Sequence, residues 1–283
     1  MISFPRLLFF TLFFLQVNRS ACQWQGIQAN ISVWLSAAAY CEKSQYPTMK
    51  LAGAAAGFEL SHVLYNRTSD LQGFVGVLHE YKTIYTVFRG THSVRNWIKD
   101  IEIRQTVYSS LPECGGAIVH SGFYDSALGI TQQTHTAIGE LHKKYGYNRV
   151  IITGHSYGAA ISILMGMELI TNAELDISVY NFGQPRVGDI NFTKCVNYLF
   201  DDNAFRVIHD RDIVPHLPTE IHYTHSCREI FEMHDGALSF CSENECEDSK
   251  CASQYSMKET TIEDHYVYLG HEMTCETSIF HKN

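Results

Sequence analysis

The sequence predicts an α/β layer fold with a largely parallel centre. Short apolar runs of strand length alternate with longer segments of helical spacing, the pattern of strands buried between helices. One such run enters a Gly-x-Ser-x-Gly turn and leaves it as an apolar helix. No internal repeat, low-complexity tract or Pro/Gly linker divides the chain, so its 283 residues read as one domain behind a leader.

Residues 1–22 read as a secretory signal peptide. Arg6 gives a positive start, Leu7 to Leu15 is an apolar stretch too short to span a bilayer, and small residues follow at Ser20-Ala21-Cys22. The domain proper is then 23–283. Ile31 to Cys41 reads as a helix with an Ala-rich face. Phe74 to His79 and Thr83 to Arg89 are β-branched and aromatic and read as a hairpin. Tyr124 to Tyr145 has helical spacing and ends at Gly146, a fitting C-cap. Arg149 to Thr153 reads as a buried strand, and Tyr157 to Thr171 as the helix after it. Ile177 to Phe182 and Phe205 to His209 read as two more strands, with a helix near Asp189 to Phe200 between them. After Ser226 the chain is Cys-rich and reads as irregular.

Composition sets bounds on function. With 45% hydrophobic and 18% charged residues the chain is globular rather than disordered. The formal charge of −9 becomes −11 once the leader and its two Arg are removed. That balance argues against nucleic-acid binding, which runs on Lys/Arg contacts to phosphate. No apolar run reaches the length of a membrane span.

Nine cysteines are an awkward total for a secreted chain, and cleavage after Cys22 would leave eight. The closely spaced Cys241, Cys246 and Cys251 could be metal ligands, but export favours disulfides, and no His pair completes a zinc set. Sequons at Asn30, Asn66 and Asn191 are candidate glycosylation sites.

The chemistry sits at Gly154-His155-Ser156-Tyr157-Gly158. A strand leading in and a helix leading out are what a nucleophile elbow requires. Such a turn strains Ser156, and its glycines remove side chains that would strike the neighbouring strand and helix. Ser156 Oγ would stand at a helix N-terminus, where backbone N–H groups, that of Tyr157 among them, can hold an oxyanion. Serine alone is a poor nucleophile and needs a base and a carboxylate to orient it. Asp210 and Asp212, after the Phe205 to His209 strand, are equal candidates for the carboxylate. His265 and His271, near the C-terminal end, are equal candidates for the base.

Taken together these motifs resemble the secreted fungal-type, or class 3, lipases. The resemblance runs from about Ala37 to Cys275. It rests on Ala39-Tyr40-Cys41, Phe88-Arg89-Gly90-Thr91, Arg95-Asn96-Trp97-Ile98, Val119-His120-Ser121-Gly122-Phe123, the Ser156 elbow, Phe182-Gly183-Gln184-Pro185-Arg186-Val187-Gly188, Asp212-Ile213-Val214-Pro215 and Asp264-His265-Tyr266. It implies an α/β-hydrolase fold, with a mostly parallel mixed sheet flanked by helices. It also implies a triad of Ser156, Asp212 and His265, with Thr91 and the Tyr157 N–H as oxyanion donors. The stretch at about 92–103 would be an amphipathic lid, with Trp97, Ile98 and Ile101 forming its apolar patch. Burying that patch at roughly 25 cal/mol/Å² could bias an open state at a lipid surface. The plainer reading is a surface helix with Trp97 in the core.

The resemblance pairs Cys41 with Cys275 and Cys241 with Cys251, which leaves Cys227 with Cys246 and Cys114 with Cys195 by elimination. Cys114, Cys195, Cys227, Cys246 and His92 depart from the family pattern. The implied activity is hydrolysis of acylglycerol esters (a triacylglycerol lipase), with no metal or organic cofactor. The protein would act as a monomer that touches lipid interfaces through its lid, outside the cell or in the lumen of the secretory or lysosomal pathway. Rival readings are a feruloyl-type or phospholipase A1-type esterase on the same scaffold, and a non-enzymatic lipid-binding protein.

Overall fold

The computed structural model describes residues 24–100, 103–219, 221–243 and 245–278. The expected signal peptide, Cys22 and Ile101 lie outside the described residues. The chain opens with helix α1 (Gly26–Ala38), earlier at both ends than the sequence pattern suggested, and Tyr40 and Cys41 fall in the turn after it. Strands β1 (Glu59–Asn66), β2 (Leu71–Leu78) and β3 (Thr83–Phe88) form an antiparallel meander. Helix α2 (Val94–Asp100), a small ribbon of β4 (Gln105–Val107) and β5 (Ile118–His120), and the long helix α3 (Ser121–Tyr145) come next. Strand β6 (Arg149–His155), helix α4 (Tyr157–Leu169), strand β7 (Asp176–Phe182), helix α5 (Ile190–Phe200) and strand β8 (Ala204–His209) alternate as expected. Beyond them lie β9 (Glu229–Glu232), β10 (Leu238–Phe240) and a minimal hairpin of β11 (Val267–Tyr268) and β12 (His271–Glu272).

Eight strands form one sheet in the order β1-β2-β3-β6-β7-β8-β9-β10. Its centre, from β3 to β9, is parallel, and both flanks are antiparallel. Side chains alternate between its faces. Ile84, Phe88, Val150 and Ile152 join the core under α3, α4 and α5. Tyr85, Val87 and Ile151 join the core under α1. Both faces are covered, so these strands read as unbroken apolar runs and not as alternating ones. Ser36 on α1 reaches Thr153 on β6 through a 3.0 Å hydroxyl pair, which seats the small-residue face of the helix against the strand that leads to the elbow.

Two features were not legible in the pattern. Strand β1 is a half-exposed edge strand carrying Glu, Ser and His. Strand β9 lies in the tail expected to be irregular, and its two acids are buried because each finds donors. Glu229 pairs with Arg206, and Glu232 accepts the Leu269 N–H.

Four disulfides tie the loops: Cys41–Cys275, Cys114–Cys195, Cys227–Cys246 and Cys241–Cys251. Glu229 lies beside Cys241 and Cys251, but these sulfurs are bonded to each other, so the group is not a metal site. Among the described residues no helix is long and apolar enough to cross a membrane.

The Cys-rich segment is also held by charge. Both Glu247 oxygens accept from the Arg186 guanidinium, at 2.8 and 2.6 Å, and Oε1 also accepts the His225 N–H. Although burial pushes the other way, these donors pull the Glu247 pKa from 4.5 to about 2. A carboxyl held low in the folded state stabilises it above its ordinary pKa, and that stability is lost as pH falls toward 2. The difference is worth on the order of 3 kcal/mol. Glu247→Gln should therefore melt below the wild type at pH 7, with the gap closing between pH 5 and pH 2. A gap that stays constant across that range in calorimetry would rule out this account.

Candidate active site

Strand β6 runs two residues beyond its expected end, through Gly154 and His155, and delivers Ser156 at the mouth of α4. Ser156 has φ 59° and ψ −127°, a left-handed conformation that costs a side-chain-bearing residue about 1–3 kcal/mol and persists only when its surroundings enforce it. Here they do. The Ser156 N–H donates to the Phe182 carbonyl at 2.9 Å. A Cβ on Gly158 would stand 2.1 Å from the Phe88 carbonyl oxygen, so only glycine lets α4 start against the end of β3. That contact brings the β3 exit to the elbow, where a Cβ on Gly90 would lie 3.1 Å from Ser156 Cβ, and half-buried Thr91 is the residue that follows.

The loop after β8 carries Asp212, and the turn Glu263–Tyr266 carries His265. The two segments are laced together. Ile213 N–H donates to the Thr261 carbonyl at 3.0 Å, and Thr261 N–H donates to that of Arg211 at 2.7 Å. His265 Nδ1 then lies 2.7 Å from Asp212 Oδ2, with both residues fully buried. Tyr268 Oη also donates to Oδ2, and the Val214 N–H donates to Oδ1 at 2.8 Å. Burial and the Asp212 charge both push the Tyr268 phenol well above its ordinary pKa, so it stays a donor. Gly183, at φ +57°, lies under this cluster. A Cβ there would be 2.9 Å from both Asp212 Oδ2 and His265 Cε1. Ser156 Oγ and His265 Nε2 are buried, and neither makes a hydrogen bond among the described residues.

The residues that tied with these in the sequence are engaged elsewhere. Asp210 accepts from Tyr255 Oη at 3.2 Å. It lines a cavity of about 890 Å³ on the outer side of the same loops, together with Arg211, His234 and Asp264, and none of Ser156, Asp212 and His265 opens onto that cavity. His271 stacks on Trp34 at 4.3 Å and bonds Ser278 Oγ at 3.0 Å.

Helix α2 covers 94–100 of the stretch at about 92–103 expected to form a lid, with Trp97 and Ile98 on it and Ile101 outside the described residues. Trp97 is half-buried and stacks on Phe123 at 6.2 Å, and Phe123 meets Tyr157 at 5.8 Å, so the Trp97 ring faces inward toward the elbow helix. Ile98 is half-buried as well. Arg95 bridges to Glu263, two residues before His265, at 2.8 Å. Before the helix, buried Arg89 holds His92 at 2.7 Å and the Asp70 carbonyl at 3.0 Å, which pins the turn that carries Thr91. Of the sequon residues, Asn30 and Asn191 are exposed, while half-buried Asn66 donates to the Gly129 carbonyl at 2.9 Å.

Sequence reasoning missed Tyr268 on Asp212, and it missed what Tyr40 does. Tyr40 Oη lies 2.6 Å from His155 Nδ1. The only signal was the place of Tyr40 inside a recognised motif.

Comparison with known proteins agrees with this architecture. A family model described as Lipase (class 3) matches residues 85–222. A lipase of Rhizomucor miehei is 34% identical over 198 residues, covering 67% of this chain and 52% of its own length. The secreted mono- and diacylglycerol lipase A of Penicillium cyclopium is 28% identical over 178 residues, covering 63% of this chain and 56% of its own. The chain thus spans about half the length of these curated relatives. A solved triacylglycerol lipase, described as having a serine protease triad as its catalytic centre, superposes with a TM-score of 0.78 at 27% identity, over 88% of this chain and 95% of that one. In its α/β-hydrolase sheet and its elbow the chain is similar to the class 3 lipases.

Proposed function

We propose that the protein is a secreted serine hydrolase that cleaves carboxylic esters of acylglycerols. The observation that carries the reading is the buried Tyr268–Asp212–His265 array, whose imidazole packs 4.3 Å from the ring of His155, the residue before Ser156 at the elbow. Ser156 Oγ attacks the ester carbonyl while His265 Nε2 takes its proton. The proton then goes to the leaving alcohol, and water repeats the sequence to release the fatty acid. Asp212 keeps the proton on Nδ1 and balances the imidazolium, and Tyr268 keeps the Asp212 carboxylate aimed at the ring. Thr91 and the Tyr157 N–H hold the oxyanion. These steps use only side chains and backbone of this chain.

Helix α2 is the lid of this reading. Ser156 and His265 are both 0% exposed, and Trp97 faces inward, as a closed state requires. At a lipid surface the helix would turn its apolar residues outward and uncover the site. Four disulfides and the leader at 1–22 fit secretion, and one relative is named as secreted. The acylglycerol class follows the names of the relatives.

Titration with an organophosphonate, followed by rates on emulsified long-chain acylglycerol, feruloyl esters and phospholipid, tests the reading. Stoichiometric labelling of Ser156 and preference for the emulsion are expected. An unlabelled Ser156 overturns it. Trp97→Ser should lower the rate on emulsion more than the rate on a dissolved short-chain ester, and equal losses would return Trp97 to an ordinary core role.

A further inference from the structure

His155 is fully buried one residue before Ser156, and the mechanism above makes no use of it. Its ring lies 4.3 Å from the His265 ring, and its Nε2 lies 2.8 Å from the His265 carbonyl oxygen. A carbonyl can only accept, so Nε2 carries the proton and Nδ1 is bare. Nδ1 in turn lies 2.6 Å from Tyr40 Oη, which must donate. The titration tendencies agree with this assignment. Burial, and then the neighbouring His265, hold the His155 imidazole neutral, while burial keeps the Tyr40 phenol protonated. The result is a directed chain from the turn after α1, through the elbow strand, to the main chain of the residue proposed as base. Tyr40 is also close enough to the elbow that a Cβ on Gly90 would lie 2.0 Å from its hydroxyl. The next residue, Cys41, is bonded to Cys275, so Tyr40, through His155, reaches the turn before the β11–β12 hairpin, and Cys41 ties the chain just after it.

We propose that Tyr40 and His155 are positioning residues for His265, fixing its carbonyl and through it the height and tilt of the imidazole over Ser156. The proposal rests on the serine-hydrolase reading. Its physical basis is the short 3₁₀ turn Glu263–Tyr266 that carries His265. Such a turn has few hydrogen bonds of its own to resist tilting, and the His155 N–H supplies one from a rigid central strand. The arrangement gives the second histidine of the site a task distinct from proton transfer. It must stay neutral, because a proton on Nδ1 would turn the Tyr40 hydroxyl from donor to acceptor and put a charge in a fully buried site beside the His265 ring.

The test uses the full-length secreted protein and three substitutions: His155→Phe, which keeps bulk without the donor; His155→Gln, which restores a donor and an acceptor; and Tyr40→Phe. On a dissolved short-chain ester, His155→Phe should lose about 10- to 100-fold in kcat, since small misplacements of reacting groups cost this much, with KM nearly unchanged. His155→Gln should recover most of that loss, and Tyr40→Phe should fall in between. A second readout does not depend on turnover. The downfield N–H proton of the His265–Asp212 hydrogen bond should be sharp in the wild type and in His155→Gln, and broadened by exchange in His155→Phe and Tyr40→Phe. Wild-type protein inert to phosphonate would sink the hydrolase reading, and this resonance would still decide the positioning. An unchanged resonance together with unchanged kcat in folded His155→Phe overturns the proposal. So does a loss that lies in KM, or a Gln variant as poor as the Phe variant. If His155→Phe does not fold, Tyr40→Phe decides by the same two readouts.

Discussion

Ser156→Ala and His265→Ala should each lower kcat on a soluble ester by about 10⁵- to 10⁶-fold, because members of the proposed triad act as a unit and losing either costs nearly as much as losing all. Asp212→Asn should cost about 10⁴-fold, the penalty of presenting the wrong tautomer in otherwise intact geometry. The structure sharpens the controls. Asp210 is turned toward Tyr255 and His271 toward Ser278, so Asp210→Asn and His271→Ala should leave turnover nearly intact in folded protein. Steady-state rates beside circular dichroism and thermal unfolding are the measurement. Near-normal turnover in folded His265→Ala would remove it as the base.

Thr91→Val is expected to lower kcat by about 100- to 1,000-fold while KM moves little, the usual cost of one missing oxyanion donor. The substitution keeps the β-branched shape, and the turn around it is held independently by Arg89 on His92 and Asp70. A loss of activity therefore cannot be assigned to collapse of that turn. A loss below about threefold would mean that the hydroxyl contributes nothing that the backbone N–H groups do not already supply.

How much of this could be read beforehand follows the range of each interaction. The elbow is encoded within a dozen residues, Arg149 to Ala160, and it stands where the pattern put it. The alternating strands and helices from Thr83 to His209 are legible for the same reason. Choosing among Asp210, Asp212, His265 and His271 needs contacts between segments some 50 residues apart, such as Ile213 with Thr261. No local pattern carries these, and the family motifs were needed to decide. Tyr268 and Tyr40 were overlooked because a tyrosine near the end of an apolar segment reads as core. Only the hydroxyl's partner, an Asp in one case and a His in the other, gives it a task. Strand β9 hid behind its two glutamates, whose burial is tolerable only because Arg206 and the Leu269 N–H arrive from elsewhere.

The grip on the His265 turn by Tyr40 and Cys41 has a consequence for biogenesis. The eight-stranded sheet is complete at Phe240, and the elbow lies well before that. A growing chain can therefore build its whole central layer and its proposed nucleophile while the proposed base is still unmade. Chains stalled on the ribosome should become reactive to phosphonate only once Tyr268 has emerged. Even then the hairpin that follows the turn lacks its disulfide until Cys275 meets Cys41 across 234 residues of sequence, a union that an oxidising lumen favours. On the proposed function, an esterase assembled in this order would be silent toward the membranes of the cell that makes it for most of its synthesis, and it would mature in the oxidising compartment from which it is exported.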